Sequence, residues 1–376
     1  MRKTGDKMKS KTAVKQKPGS TEGGKRWRGV IDAYRALLPV SAKTPVVTLN
    51  EGNTPLIRAC NFVSAIGGDF ELWLKYEGLN PTCSFKDRGM TMAVSAAKER
   101  GAEIVICAST GNTSASAAAY AARAKMKCVV LLPRGHIALG KLAQALMYGA
   151  TTVAVEGNFD AALRIVRELG ETGKVEVVNS INPMRIEGQK TAAFEICGQL
   201  GRAPDFHFLP VGNAGNITAY WRGYQEWRAA KKCALLPRMF GFQAAGAAPI
   251  VDGAPVAEPH TVATAIRIGH PASWEGASRA LDQSGGFIGK VTDEEILAAY
   301  TLIARTDGIF VEPASAACLA GLIACVKAGK IPAGSVVSAT MTGHGLKDPD
   351  NAIKSAGREP IVVPADKDAV CRAIGL

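Results

Sequence analysis

From about residue 70 the chain alternates short apolar, β-rich runs with longer Ala-rich stretches, each pair taking some thirty residues. The runs are ELWLKYE, EIVICAS, CVVLLP, TTVAVE, VEVVNS, DFHFLPVG, RMFGFQAAG and SVVSATMTG, and each is predicted to be a strand. Between them SFKDRGMTMAVSAAKERG, NTSASAAAYAARAKM, GKLAQALMYGA, FDAALRIVRELGETG, QKTAAFEICGQLG and GNITAYWRGYQEW are predicted to be helices. A further helical region falls at 292–306, and a small-residue helix follows VEPASAACLAGL. Such alternation predicts an α/β protein with mostly parallel sheets covered by helices on both faces. Ligands of such folds bind beyond the C-terminal ends of the strands, so the residues just after each run hold the candidate chemistry.

Composition narrows the class. The 376 residues are 47% hydrophobic and 21% charged, the balance of a folded soluble protein with room for two cores. Neither a membrane-spanning apolar run nor the apolar segment of a secretory signal is evident, so a cytoplasmic protein is expected. The net charge of +12 is concentrated in residues 1–28, where ten Lys/Arg face only Asp6 and Glu22. That Lys-, Gly- and Ser-rich stretch reads as a disordered basic tail, and no nucleic-acid role is expected of it. Nine scattered cysteines without a C-x-x-C pair, and five histidines without metal-ligand spacing, predict neither a disulfide framework nor a metal site.

Five stretches carry candidate chemistry. In NPTCSFKDRGM, Lys86 opens a helix, where the positive end of the macrodipole disfavours its ammonium form by a few tenths to about 1 kcal/mol. Partial desolvation beside Phe85 acts in the same direction, and a neutral lysine amine is both a nucleophile toward carbonyls and a base. The alternative is a surface lysine paired with Asp87 or Glu77. In CASTGNTSAS a strand ends at Ser109, turns at Gly111 and enters a helix through Thr110, Asn112 and Thr113, with Ser114 and Ser116 following. Free helix N–H groups and these polar side chains suit a carboxylate, and exceed what one N-cap needs. In LPVGNAGNITAYWRGY the turn Gly212, Asn213, Ala214, Gly215, Asn216 offers backbone donors to a phosphate. It lacks G-x-G-x-x-G and a Walker lysine, and has Lys231 where a dinucleotide site would place a carboxylate, so one phosphate suits it better. NSINPMRIEGQK supplies Ser180 and Arg185, the latter able to grip a phosphate or carboxylate in bidentate fashion. SATMTGHGLKD ends the last strong strand with Thr340 and Thr342.

Taken in order, EGNTPLIRA, NPTCSFKDRGM, STGNTSASAAAYAARA, NSINPMRIEGQKTAAFEI, VGNAGN and ATMTGHGLKD resemble the motifs of pyridoxal-phosphate enzymes of the tryptophan synthase β fold, and among them the threonine synthases. The likeness runs from about residue 29 to near the C-terminus. It implies a two-lobed open parallel-sheet architecture with pyridoxal 5'-phosphate between the lobes: residues 29–82 plus 186–376 as the larger, and 83–185 as a smaller, mobile one. It also implies that Lys86 joins the cofactor covalently, that Asn112 bonds its ring hydroxyl, that Gly212 to Asn216 cradle its phosphate and that Thr340 faces its ring nitrogen. Ser109, Thr110, Gly111 and Thr113 would meet the amino-acid carboxylate or phosphate, and Ser180, Arg185 and Asn213 the phosphate of the substrate. The reaction implied converts O-phospho-L-homoserine and water to L-threonine and phosphate in a homodimer. A serine/threonine dehydratase of the same fold is the alternative enzyme, and an α/β protein that only binds a phosphorylated metabolite is the non-enzymatic one. Cys83 departs from the pattern, since the family commonly has glycine there; this puts a left-handed turn at that position in doubt.

Overall fold

The computed structural model describes residues 26–109, 111–134, 139–157, 159–173 and 175–376. Most of the basic stretch, residues 1–25, and Thr110 lie outside them. Within them the strands are β1 (Leu56–Arg58), β2 (Glu71–Tyr76), β3 (Ile104–Ala108), β4 (Lys127–Pro133), β5 (Thr151–Val155), β6 (Glu176–Val177), β7 (Phe206–Pro210), β8 (Arg238–Ala244), β9 (Phe287–Val291) and β10 (Val336–Met341). They form a sheet in the order β1-β2-β10-β7-β8-β9 and a second in the order β5-β4-β3-β6. Only the β1–β2 pair is antiparallel; every other pairing is parallel. Apart from β1, the strand ends of each sheet therefore face one way, as the alternation predicts.

Two strands depart from the predicted pattern for local reasons. β9 follows directly on Gly285 and Gly286 and carries Gly289 at its centre, so its composition reads as a loop; parallel pairing to β8 supplies the order. The run VEVVNS makes a ladder of only two residues. Beyond it the side chain of Asn179 takes over the role of a strand, accepting from Ala108 N (3.0 Å) and donating to Ala108 O (2.9 Å).

The helices that build the site are α1 (Lys86–Glu99), α2 (Asn112–Ala124), α3 (Pro183–Gln189), α4 (Thr191–Leu200), α5 (Gly215–Ala229) and α6 (Pro313–Lys327). The apolar positions of α1 and α2 pack on β3 and β4 through Met90, Ala93, Val94, Tyr120, Val105 and Val130. That ties α1 to the four-stranded sheet. Its first turn is tied the other way, by buried charge. Arg88 donates to Glu77 (2.6 and 2.8 Å) beyond β2 and to Glu195 (both 2.7 Å) on α4, and Lys75 donates to Glu195 (2.7 Å). Two cations and two carboxylates cancel here, with all four side chains at most 3% exposed. Burial alone would raise the Glu195 carboxyl, but Arg88 and then Lys75 override it and hold it at about 2.

α1 and α3 meet backbone to backbone. A Cβ on Gly188 would lie 1.8 Å from the Arg88 carbonyl oxygen, and one on Gly89 2.9 Å from the Arg185 carbonyl oxygen. Only hydrogen fits at both positions, so the two glycines set the distance between the helix carrying Lys86 and the helix carrying Arg185. We expect Gly188→Ala to lower stability by ~2 kcal/mol or more, because the clash is with main chain that cannot rotate away. Gly198→Ala on α4, where nothing lies within 4 Å, should be neutral or stabilising by up to ~1 kcal/mol. Calorimetric unfolding of the two variants side by side checks this.

The turn into α1 keeps its left-handed geometry despite the cysteine. Cys83 has φ +65°, its N–H donates to Asn80 O (2.8 Å) and its carbonyl accepts from His344 N (3.0 Å). A residue with a Cβ pays a steric cost in this region that glycine avoids. Cys83→Gly should accordingly be tolerated and raise stability by ~0.5 kcal/mol, read as a higher midpoint in denaturant; a drop would show that the thiol packs productively.

Candidate active site

Lys86 is the first residue of α1, capped by Phe85 without a side-chain hydrogen bond. It forms no ion pair with either predicted partner. Asp87 accepts from the Thr82 N–H (2.7 Å) and hydroxyl (2.6 Å) and from Ser116, while Glu77 is occupied by Arg88, Thr54 and Asn80. The Lys86 amine lies 4.1 Å from the centroid of the Phe85 ring. Burial, and secondly the positive charge of Arg185, push its pKa down to about 7, with Glu312 acting in the opposite direction. At neutral pH a large fraction of this amine is therefore unprotonated.

Arg185 faces the same space from α3. It is 1% exposed, and among the described residues its side chain donates only to Val178 O (3.3 Å), while its Nε and Nη2 are buried without partners. Burial pushes even this guanidinium down to about 10. A buried cation with two unused donors is an incomplete anion site, since an uncompensated charge in a protein interior is costly. Two uncapped helix N-termini add to it. α5 begins after Ala214, held left-handed at φ 60°, ψ 2°, with no side chain capping its first amides; Gly212 and Gly215 flank that turn. A left-handed residue next to free helix amides is the geometry of an anion-binding nest. α2 begins after Gly111, again with no side-chain cap. Asn216, in the first turn of α5, is buried with both side-chain atoms unpartnered. The nest and these unused groups fit a phosphorylated ring, and the Lys86 amine fits its carbonyl.

The remaining predicted residues fall at the same strand ends, some in other company. Ser109 follows β3 and accepts from Gly111 N (3.3 Å); Thr113 is half-buried in the first turn of α2; Ser180 is half-buried between β6 and α3. Asn213 accepts at Oδ1 from Ala272 N (3.2 Å), leaving its amide hydrogens for a ligand. Asn112 donates to Glu312 (2.9 Å). Thr340, near the end of β10, lies 3.0 Å from the ring of His207 on β7.

Glu312 and His207 were not singled out by motif. Glu312 caps α6, is 4% exposed, and accepts from Asn112 and from Thr342 (3.0 Å); burial raises its carboxyl and those hydrogen bonds oppose the shift. A carboxylate just before a proline inside an apolar run was the available signal. His207 sits at the polar position of FHFLP and pairs in register with Ser338. Burial pushes its ring down to about 3, which keeps it neutral.

Comparison with known proteins agrees with this geometry. Residues 47–343 match the family described as pyridoxal-phosphate dependent enzyme. The chain is 59% identical to the threonine synthase of Bacillus sp. (strain ULM1), over 88% of this chain and 93% of that protein. It is 56% identical to the threonine synthase of Synechocystis sp., over 93% and 91%. Among solved structures, threonine deaminase isoform 2 from Solanum lycopersicum superposes with a TM-score of 0.70 at 22% identity, covering 82% of this chain and 83% of that one, a likeness of fold alone. The two-sheet α/β body, the near-neutral lysine facing a buried unpaired arginine, and these similarities assign the chain to the pyridoxal-phosphate-dependent enzymes of the tryptophan synthase β fold and, among them, to the threonine synthases.

Proposed function

We propose that the work of making L-threonine from O-phospho-L-homoserine is divided among the site residues as follows, the observation that carries the reading being the buried, half-unpaired Arg185 beside the near-neutral Lys86. Lys86 would hold pyridoxal phosphate, which when bound would draw electrons from the substrate's Cα and make the neighbouring protons removable. Lys86 then takes the Cα proton, shuttles one from Cβ, and returns protons as water adds at Cβ. A base with a pKa of about 7 suits both directions of transfer near neutral pH. Arg185, with Ser180 and the free amide of Asn213, holds the substrate's phosphate and stabilises it as it leaves Cγ. The amides at the start of α2, with Ser109, Thr110, Gly111 and Thr113, hold the carboxylate.

Gly212, Asn213, Ala214, Gly215 and Asn216 would cradle the phosphate of the cofactor, Asn112 would bond its ring hydroxyl, and Thr340 would face its ring nitrogen. In this reading residues 83–185 close on the larger lobe, 29–82 plus 186–376, and exclude water until it is needed. The buried pairs of Arg88 support a pivot at the start of α1, since they bind its first turn to β2 and α4. A homodimer without a nucleic-acid partner completes the reading; no helix among the described residues is long and apolar enough to cross a membrane.

Arg185→Ala tests the division of roles. Losing two charge-assisted hydrogen bonds should raise KM for O-phospho-L-homoserine roughly 100-fold. Occupancy by the cofactor, read from its visible absorbance, should stay unchanged. An unaltered KM, or loss of the cofactor in its place, would contradict the assignment.

A further inference from the structure

The polar side chains behind Thr340 form a closed chain. His207 Nε2 lies 3.0 Å from Thr340 Oγ1, and His207 Nδ1 lies 2.6 Å from Ser338 Oγ and 3.0 Å from the Tyr224 hydroxyl. His207, Ser338 and Thr340 are 0% exposed and Tyr224 is equally enclosed, so the chain is shut off from bulk solvent. Tyr220 packs on the imidazole with centroids 4.9 Å apart, and its hydroxyl reaches toward Thr340 without closing a hydrogen bond.

Counting hydrogens ties the tautomer to what Thr340 meets. The imidazole is neutral and carries a single N–H. Burial keeps Tyr224 protonated, and its hydroxyl also interacts with that of Ser338. Around Nδ1 there are thus two hydroxyl protons. If Nδ1 accepts, Ser338 donates to it, Tyr224 donates to Ser338 or to Nδ1, and both protons are used. With the Thr340 hydroxyl included there are four hydrogens, and one is left over in either tautomer: on Nδ1–H it is shut in between Ser338 and Tyr224, on Nε2–H it is the hydroxyl hydrogen of Thr340 at the strand end. A buried polar hydrogen without an acceptor costs ~1–3 kcal/mol, so a ligand that accepts from Thr340 decides between them. With such a ligand bound the hydrogen belongs on Nε2, which donates to Thr340 Oγ1 and leaves the Thr340 proton for the ligand.

We propose that His207 is a positioning residue: by filling the Thr340 oxygen with its Nε2 hydrogen, it turns the Thr340 hydroxyl into a donor to the ring nitrogen of the cofactor and so holds that nitrogen unprotonated. The proposal rests on the reading that Thr340 faces the ring nitrogen. In the opposite tautomer Thr340 would donate to His207 and offer the ring only lone pairs, which would favour a protonated nitrogen. The direction of one buried chain thereby sets how strongly the cofactor draws electrons, and leaves proton handling to Lys86.

The test is nitrogen-15 NMR of histidine-labelled protein, with the His207 signals assigned by their loss in His207→Gln. With the cofactor bound, Nδ1 should show the shift of an unprotonated nitrogen and Nε2 that of a protonated one, unchanged between about pH 5 and 9, where an ordinary histidine titrates. The reverse pattern, or a titration in that range, would overturn the proposal. In the loaded enzyme, ring-labelled cofactor should give an unprotonated nitrogen whose resonance shifts in both Thr340→Ala and His207→Phe. His207→Phe should also lower kcat roughly tenfold, the worth of one hydrogen bond, with KM little changed. His207→Gln, whose amide can still donate to Thr340, should restore much of that loss. If Thr340→Ala leaves the ring-nitrogen resonance where it was, Thr340 is not its partner and the underlying reading fails. If Thr340→Ala shifts it but His207→Phe does not, Thr340 stands and the role of His207 fails.

Discussion

The site depends on one contact, the crossing of α1 and α3 at Gly89 and Gly188, where any side chain would strike the opposing main chain. That crossing fixes how near Arg185 comes to Lys86. Two cations in one water-poor space are unfavourable, and the molecule resolves the conflict unequally. A guanidinium keeps its proton even when burial lowers it to about 10, so the lysine, lowered to about 7, is the group that gives way. Burial is the larger cause of the lysine's shift and the guanidinium the second, so the neutral amine and the half-unpaired cation share one enclosed space. Without an anion, Arg185 keeps two buried donors unused, a local cost that ligand binding relieves.

The rest of the body keeps that crossing rigid. Arg88, two residues along from Lys86 and directly at the Gly188 contact, is bound by two carboxylates from the six-stranded sheet's side of the molecule. Breaking such a pair would strand a buried charge, typically a loss of ~3–5 kcal/mol. Asp87, between them in sequence, is held by Thr82 and Ser116 and so pins the turn to α2. Three consecutive charged residues thus do three different jobs, and only the first is left without a partner.

The sequence made the architecture and much of the site legible because both depend on local patterns. Alternating apolar runs announced the parallel strands, and polar clusters after EIVICAS and DFHFLPVG marked helix starts that remain uncapped. What it hid was tertiary. The periodicity of VEVVNS could not show that Asn179's side chain would replace the backbone beyond two residues, and β9 lay concealed among glycines. Glu312 and His207 lie within apolar runs, and their importance comes from partners 200 and 133 residues away, Asn112 and Thr340. Cys83 was the reverse case: its residue type argued against a left-handed turn that hydrogen bonds on both sides nevertheless impose.

This packing makes Lys86 a largely neutral amine near physiological pH. The most direct measurement is the titration of that amine in cofactor-free protein, by carbon-13 NMR of lysine labelled at Cε, assigned through Lys86→Arg. The midpoint should fall at about 7 against the ordinary 10.5, so that the amine is protonated below and free above it. In Arg185→Ala the midpoint should move upward only in part, because burial is the larger cause and Glu312 continues to favour the charged form. A wild-type midpoint near 10.5 would show that neither burial nor the guanidinium sets the state of this amine, and one that Arg185→Ala leaves unmoved would show that the guanidinium does not.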